Sequence, residues 1–392
     1  MADRYLRIRE LGWDTNRLQK AKVLVVGAGA LGNEVLKNLA LLGVGNIWVV
    51  DMDHIESHNL TRTVLFRESD IGFSKAEVAA QRIREINPAI QIIPIVRSIQ
   101  ESLGIGFFME MDVVFGCVDN VQARIDINRY CYQAGVLFID AGMRKLDGDV
   151  KVFGESYKVC FDCLVTRQMR DEAWRRYSCL KLRSRTDTLS IPTSPTISSI
   201  MAGFQVQIAI KYLHQAPIPL DCRISVLGYI DDMHVTKLSP NPNCPTHNMY
   251  ELINKSELVN LPLRSDTTTV GELLQAVKQN LAHDATIQLD YDLITYFYCP
   301  EHDFKLPLIR RRGFIYADEV ECPHCKENGM PNAYLLMQEH FINQLNGKED
   351  PEFLQLTLSQ IGIPFFHVVC ASTFSENALK YQYFILTGDR NG

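Results

Sequence analysis

Between Val23 and Arg62 the chain spaces out residues that together suit a nucleoside triphosphate. An apolar run, Val23 to Val26, leads into Gly27-Ala28-Gly29-Ala30-Leu31-Gly32 and then an apolar helical pattern. A GxGxxG turn in that setting lets backbone approach phosphate and aims a helix N-terminus at it. A second apolar run, Ile47 to Val50, ends in Asp51-Met52-Asp53, and Asn59-Leu60-Thr61-Arg62 completes a set that spans twelve residues from Asp51. A nicotinamide enzyme needs one acid at this place, to hold a ribose. A second acid, an amide and a guanidinium suit a triphosphate and its magnesium better.

Cysteine and histidine form two further constellations. Cys160-x-x-Cys163 pairs with Cys244-x-x-His247, two short knuckles that together offer the four tetrahedral ligands of a structural Zn²⁺ site. Cys299-x-x-His302 and Cys322-x-x-Cys325 form a second set with a 19-residue spacer, zinc-ribbon spacing with a proline inside both knuckles. Each set is complete without a water ligand, so both sites are read as structural.

The elements that must position these residues follow from the apolar pattern. Runs at Val23 to Val26, Ile47 to Val50, Ile92 to Val96, Val113 to Phe115 and Val136 to Ile139 alternate with helical patterns, the signature of a Rossmann-like, doubly wound, mostly parallel α/β sheet. Ligands in such sheets collect at the carboxyl ends of the strands, where the glycine turn, Asp51 and Cys117-Val118-Asp119-Asn120 all fall. Asp147 to Phe153 and Arg223 to Thr236 read as antiparallel strands extending the sheet. Between them lie a loop rich in Arg and Lys, Arg167 to Arg185, and a long helix, Thr196 to His214. Beyond about residue 248 the alternation stops. A polar link, Arg264 to Thr269, leads to a helix, Val270 to Leu281, and short strands of a smaller α+β domain over 249–392 that carries the second zinc set.

Composition is compatible with this and excludes little else. The 392 residues suffice for two domains, and 46% apolar with 22% charged residues is ordinary for a globular protein. A net charge of −6 argues against a surface that coats nucleic acid. No apolar run approaches the roughly 20 residues of a membrane helix and the N-terminus lacks a signal-peptide pattern, so the expected compartment is the cytosol and no membrane partner is expected. In that compartment the eleven cysteines are ligands, nucleophiles or core residues rather than disulfides.

Taken in order, the GxGxxG turn, Asp51-x-Asp53, Asn59-x-x-Arg62, Gly72-x-x-Lys75-Ala76, Asn87-Pro88 and Cys117-Val118-Asp119-Asn120 make residues 1–248 resemble the ThiF/MoeB and ubiquitin-activating enzyme family. The resemblance implies ATP-dependent adenylation of the C-terminal glycine of a ubiquitin-like protein. It implies that Gly27, Gly29, Gly32, Asp51, Asp53, Asn59, Arg62, Lys75, Asp119 and Asn120 bind the nucleotide, with Asp119 holding Mg²⁺. It also implies that Arg7, in Arg4-Tyr5-Leu6-Arg7, reaches the phosphates of a partner subunit in a homodimer. The family carries paired cysteines where the first zinc set lies, the second within the same Asn-Pro-Asn-Cys-Pro context; here His247 replaces the last. Thr63 stands where members usually have Gln.

Of the remaining cysteines, Cys117, Cys131, Cys222 and Cys370 fall in strand or helix patterns that suit core packing. Cys179, within the stretch 164–195 and flanked by Arg175, Arg176, Lys181, Arg183 and Arg185, has a neighbourhood that favours thiolate. Its position resembles that of the thioester-forming cysteine of the ubiquitin-activating branch, although Leu180 follows it where members have Thr. The expectation is therefore an activating enzyme that captures its substrate on Cys179 for a carrier enzyme, which residues 249–392 recruit through a β-grasp-like module. Four alternatives stay open. They are a sulfur-carrier adenylyltransferase that stops at the acyl-adenylate, an NAD-dependent oxidoreductase, a degenerate scaffold subunit, and, for the C-terminal region, an appendage that stabilises the dimer.

Overall fold

The computed structural model describes residues 4–154, 157–174, 192–329, 337–375 and 378–391. The chain divides into two compact units. The first holds Met1–Ser102, Phe108–Val165 and Ser190–Leu252; the second holds Leu103–Phe107, Thr166–Leu189 and Ile253–Gly392.

In the first unit, β1 (Lys22–Val26), β2 (Asn46–Val50), β3 (Gln91–Ile95), β4 (Val113–Gly116), β5 (Leu137–Arg144), β6 (Asp147–Phe153), β7 (Cys222–Leu227) and β8 (Asp232–Lys237) form one sheet. The strand order is β3-β2-β1-β4-β5-β6-β7-β8. β3, β2, β1, β4 and β5 pair in parallel, in register Val23 with Ile47 and Val113. β6, β7 and β8 continue the sheet antiparallel. The order reverses direction between β1 and β4, the place where open α/β sheets bind ligands. The parallel strands are continuous apolar runs because helices cover both faces. Helices Ala30–Leu42 and Pro195–Leu213 belong to the core with Val25, Val35, Leu39, Phe115, Met201 and Val206.

Two expectations need correction. Arg223 to Thr236 is not one strand but a hairpin, β7 and β8 joined through Gly228-Tyr229-Ile230-Asp231, with Asp231 in the left-handed region at φ 54°. The start of the cationic loop is helical over Arg167–Trp174. The other expected elements of this unit match their ranges to within a residue or two, except β5, which runs on to Arg144 and brings Gly142 beside Asp149.

The second unit is built on a largely antiparallel sheet of β9 (Val259–Leu261), β10 (Thr286–Cys299), β11 (Phe304–Arg311), β12 (Gln338–Leu345), β13 (Val368–Ser375) and β14 (Ala378–Leu386). The order is β11-β10-β13-β14-β9, with β12 also on β10. The helix Val270–Asn280 covers it, opened by a capping box in which Thr269 and Glu272 exchange side-chain-to-backbone bonds. Where only short strands are expected, β10 is 14 residues long and delivers Cys299 to the second zinc set. No described helix is long and apolar enough to cross a membrane.

Candidate nucleotide site and metal centres

The nucleotide candidates meet at the switch point through a chain of contacts. Gly27 leaves β1 at φ 100°, and a Cβ there would lie 2.5 Å from the Cys117 carbonyl oxygen beyond β4. A Cβ on Gly32 would lie 1.9 Å from the Gly27 oxygen, whereas one on Gly29 meets nothing within 4 Å. Two of the glycines are thus demanded by the protein's own backbone, and the third faces open space, where a ligand's phosphates would approach. The Ala28 N–H donates to Asp51 Oδ2 at 2.6 Å and the Asp53 N–H to Asp51 Oδ1 at 2.8 Å. Burial pushes the Asp51 carboxyl above its ordinary value of 3.8, against the lowering effect of the Ala28 N–H and the positive charge of Lys75. Lys75 opens the helix Lys75–Ile86, and its ammonium pairs with Asp53 Oδ2 at 2.9 Å.

Asn33, which the sequence reading passed over, is completely buried. Its amide donates to the Ala28 and Gly29 oxygens at 2.7 and 3.1 Å, while its Oδ1 accepts the Leu65 N–H at 2.9 Å. It ties the glycine turn to the segment just past Arg62. The signal was an amide one residue after Gly32, on the buried face of a helix, where a side chain without a partner would be costly.

Other candidates have local partners. Buried Asn59 accepts the Glu56 N–H at 2.9 Å, and Thr63 donates to the Asn59 oxygen at 2.9 Å. Arg62 is half-buried, with Nη1 donating to the His58 oxygen at 2.9 Å. Asn120 caps the helix Val121–Ala134 by accepting the Ala123 N–H at 2.7 Å. Asp119, exposed beside the glycine turn, has no hydrogen bond or ion pair among the described residues, which leaves both oxygens free for a cation such as the Mg²⁺ of a bound nucleotide. Arg7 lies in the short helix Leu6–Glu10, with its side chain 86% exposed and paired with Glu10 at 2.7 Å. That helix is moored by Tyr5, whose hydroxyl accepts from Asn87 Nδ2 at 2.7 Å, and whose ring would meet any Cβ on Gly43.

Both cysteine and histidine sets assemble. In the first, Cys160 Sγ lies 3.9 Å from Cys163 Sγ and 3.6 Å from Cys244 Sγ, and Cys163 Sγ lies 3.5 Å from His247 Nδ1. In the second, Cys299 Sγ lies 3.7 Å from Cys325 Sγ, and His302 Nδ1 lies 3.3 to 3.8 Å from the three sulfurs. Ligands about 2.3 Å (sulfur) or 2.0 Å (nitrogen) from a tetrahedral Zn²⁺ stand at such separations. Side-chain hydrogen bonds from Cys160 and Cys244 hold the Cys163 thiol below its ordinary value. Cys117 and Cys131 lie outside both sets. Burial pushes both thiols far above the ordinary range, which disqualifies them as nucleophiles. Cys179 lies outside the described residues.

Residues 3–246 match the ThiF family. The chain belongs to the ThiF family. SUMO-activating enzyme subunit 2 of Dictyostelium discoideum is 39% identical over 166 residues, 42% of this chain and 25% of that protein. Adenylyltransferase and sulfurtransferase MOCS3 of Mus musculus is 36% identical over 165 residues, 42% of this chain and 36% of that protein. The chain therefore spans about a quarter to just over a third of these relatives. Among solved structures, E. coli MccB with succinimide shares the fold at a TM-score of 0.50 and 25% identity, covering 59% of this chain and 68% of that one.

Proposed function

We propose that this ThiF protein activates the C-terminal glycine of a ubiquitin-like protein with ATP. The observation that carries the reading is the convergence of the glycine turn, Asp51, the Asp53–Lys75 pair and the free Asp119 carboxylate at one switch point. A carboxylate oxygen of the terminal glycine attacks the α-phosphorus, pyrophosphate leaves, and an acyl-adenylate forms. Negative charge grows on the phosphates as it does so. Backbone N–H groups of the turn, Lys75 and Arg62, with Arg7 of a second copy in a homodimer, are the donors and cations to receive it. Mg²⁺, held by Asp119, would neutralise phosphate charge.

The Cys179 thiolate then attacks the acyl carbonyl, AMP leaves, and a thioester forms for transfer to a carrier enzyme recruited by residues 249–392. Likeness to SUMO-activating enzyme subunit 2 supports this second step; likeness to MOCS3 supports the rival reading, a sulfur-carrier adenylyltransferase that stops at the acyl-adenylate. Zn²⁺ held by Cys160, Cys163, Cys244 and His247 and by Cys299, His302, Cys322 and Cys325 would be structural, since each set offers four protein ligands. ATP:pyrophosphate exchange with a ubiquitin-like protein, followed by a non-reducing gel, separates the readings. Asp119→Ala should abolish exchange, whereas Cys179→Ala should keep exchange and lose a thiol-sensitive adduct. Exchange without any adduct in the wild type would assign the sulfur-carrier class.

A further inference from the structure

One largely buried charge network adjoins the site. Asp140, on β5, is completely buried, and its Oδ2 lies 3.2 Å from Arg124 Nη1 and 3.5 Å from Lys151 Nζ. Lys151 also pairs with Asp149 at 2.6 Å. A buried cation of this kind costs free energy unless each of its hydrogen bonds is placed, and the placement here is informative. Arg124 Nε and Nη2 both donate to the Val118 oxygen, at 3.2 and 2.7 Å, and Nη2 donates also to the Ala141 oxygen at 3.0 Å. Val118 directly precedes Asp119.

We propose that Arg124 is a positioning residue that sets the Asp119 carboxylate for its divalent cation. The inference rests on the reading of Asp119 given above. The peptide plane between Val118 and Asp119 is held on one side by the Arg124 fork. On the other side Asn120 is held by its cap on Ala123, so the intervening Asp119 backbone is fixed at both ends while its side chain stays free. A carboxylate whose direction is set before the cation arrives loses less freedom on binding it. Only a planar guanidinium reaches two backbone oxygens and a carboxylate at once; an ammonium at this position keeps the charge and loses the fork. The Val118 and Ala141 oxygens orient Arg124, Asp140 offsets its buried charge, and Gly142 is required because a Cβ there would lie 3.0 Å from Arg124 Nη1.

The test is Arg124→Lys, read by electron paramagnetic resonance of Mn²⁺ titrated into the protein with α,β-methylene ATP, and by the Mg²⁺ dependence of ATP:pyrophosphate exchange. The expected result is a loss of Mn²⁺ affinity of about tenfold or more, the usual effect of removing a hydrogen bond behind a metal ligand. Exchange should recover at high Mn²⁺, and Asp140→Asn, which leaves the three bonds to Val118 and Ala141, should bind Mn²⁺ as the wild type does. Unchanged Mn²⁺ affinity in Arg124→Lys, or an equal loss in Asp140→Asn, would overturn the proposal and leave the network a purely structural one. If Arg124→Lys shows no cooperative unfolding transition, Arg124→Gln combined with Asp140→Asn removes both charges together and answers the same question. Absence of Mn²⁺ binding and of exchange in the wild type would instead sink the underlying nucleotide reading.

Discussion

At the residue scale, the three glycines of the turn look alike in the sequence and differ in what surrounds them. Gly32→Ala drives a methyl into the Gly27 carbonyl and should destabilise the fold by a few kcal/mol, a cost typical of an unavoidable backbone clash. Gly29→Ala meets nothing, so its melting temperature should stay within about 2 °C of wild type, as for a substitution without a buried contact, while ATP affinity falls because the methyl occupies the phosphate approach. Thermal melts and an ATP titration on both variants check the pair; equal loss of stability in both would show that the Gly29 face is not open. Asp51 yields a prediction about pH. Burial raises its pKa in the folded chain above the ordinary 3.8, so the folded state binds the proton more readily than the unfolded state just above that value. Stability relative to Asp51→Asn must therefore fall as pH rises through that interval and level off above the folded pKa. Urea denaturation of both proteins across the acid range measures it, and a difference that grows with pH would contradict the assigned cause.

At the element scale, legibility follows burial. β1, β2 and β4 could be read because parallel strands covered on both faces must be unbroken apolar runs. The zinc knuckles could be read because ligand spacing is local, even though their halves are 84 residues apart for Cys160 and Cys244. The helix Arg167–Trp174 could not, since Arg167-Gln168-Met169-Arg170-Asp171-Glu172 has no apolar stripe. The β7–β8 turn was hidden by Tyr229 and Ile230, exposed apolar residues where turns usually carry polar ones. The length of β10 was hidden by shifts in its pairing register, after Gln288 and after Ile294, that break the alternation. Arg124 and Asp140 resembled ordinary solvated charges, because burial of a charge shows only once the partners are assembled. The second zinc set anchors its own small core: Cys299, Cys322 and Cys325 pack with Ile294, Phe297, Ile315, Val320 and Met337. So small a core depends on its staple. Cys322→Ser should bind one equivalent of zinc by native mass spectrometry where the wild type binds two, with faster proteolysis around residues 299–329. Retention of two equivalents would remove the second site.

At the scale of the whole molecule, the proposed homodimer makes a prediction that neither zinc nor fold can make. Arg7 is far more exposed than the other proposed phosphate ligands, and among the described residues its side chain is held only by Glu10, one helical turn away. Tyr5 and Asn87 moor the helix that carries it, so the side chain is presented outward from a fixed base rather than from a loose arm. If Arg7 serves the neighbouring subunit, Arg7→Ala and Lys75→Ala should each be inactive alone and complement each other when mixed and allowed to exchange subunits. In a mixed dimer the Arg7→Ala subunit keeps its own Lys75 and receives Arg7 from its partner, which makes one intact site, while the other site lacks both residues. Random exchange at equal concentrations makes half the dimers mixed, so about a quarter of all sites, and about a quarter of the wild-type exchange rate, should return. If Arg7 acted within its own subunit, every site in every mixed dimer would lack one of the two residues, and mixing would restore nothing. The size of the recovery therefore reports both the existence of the dimer and the direction in which Arg7 reaches across it.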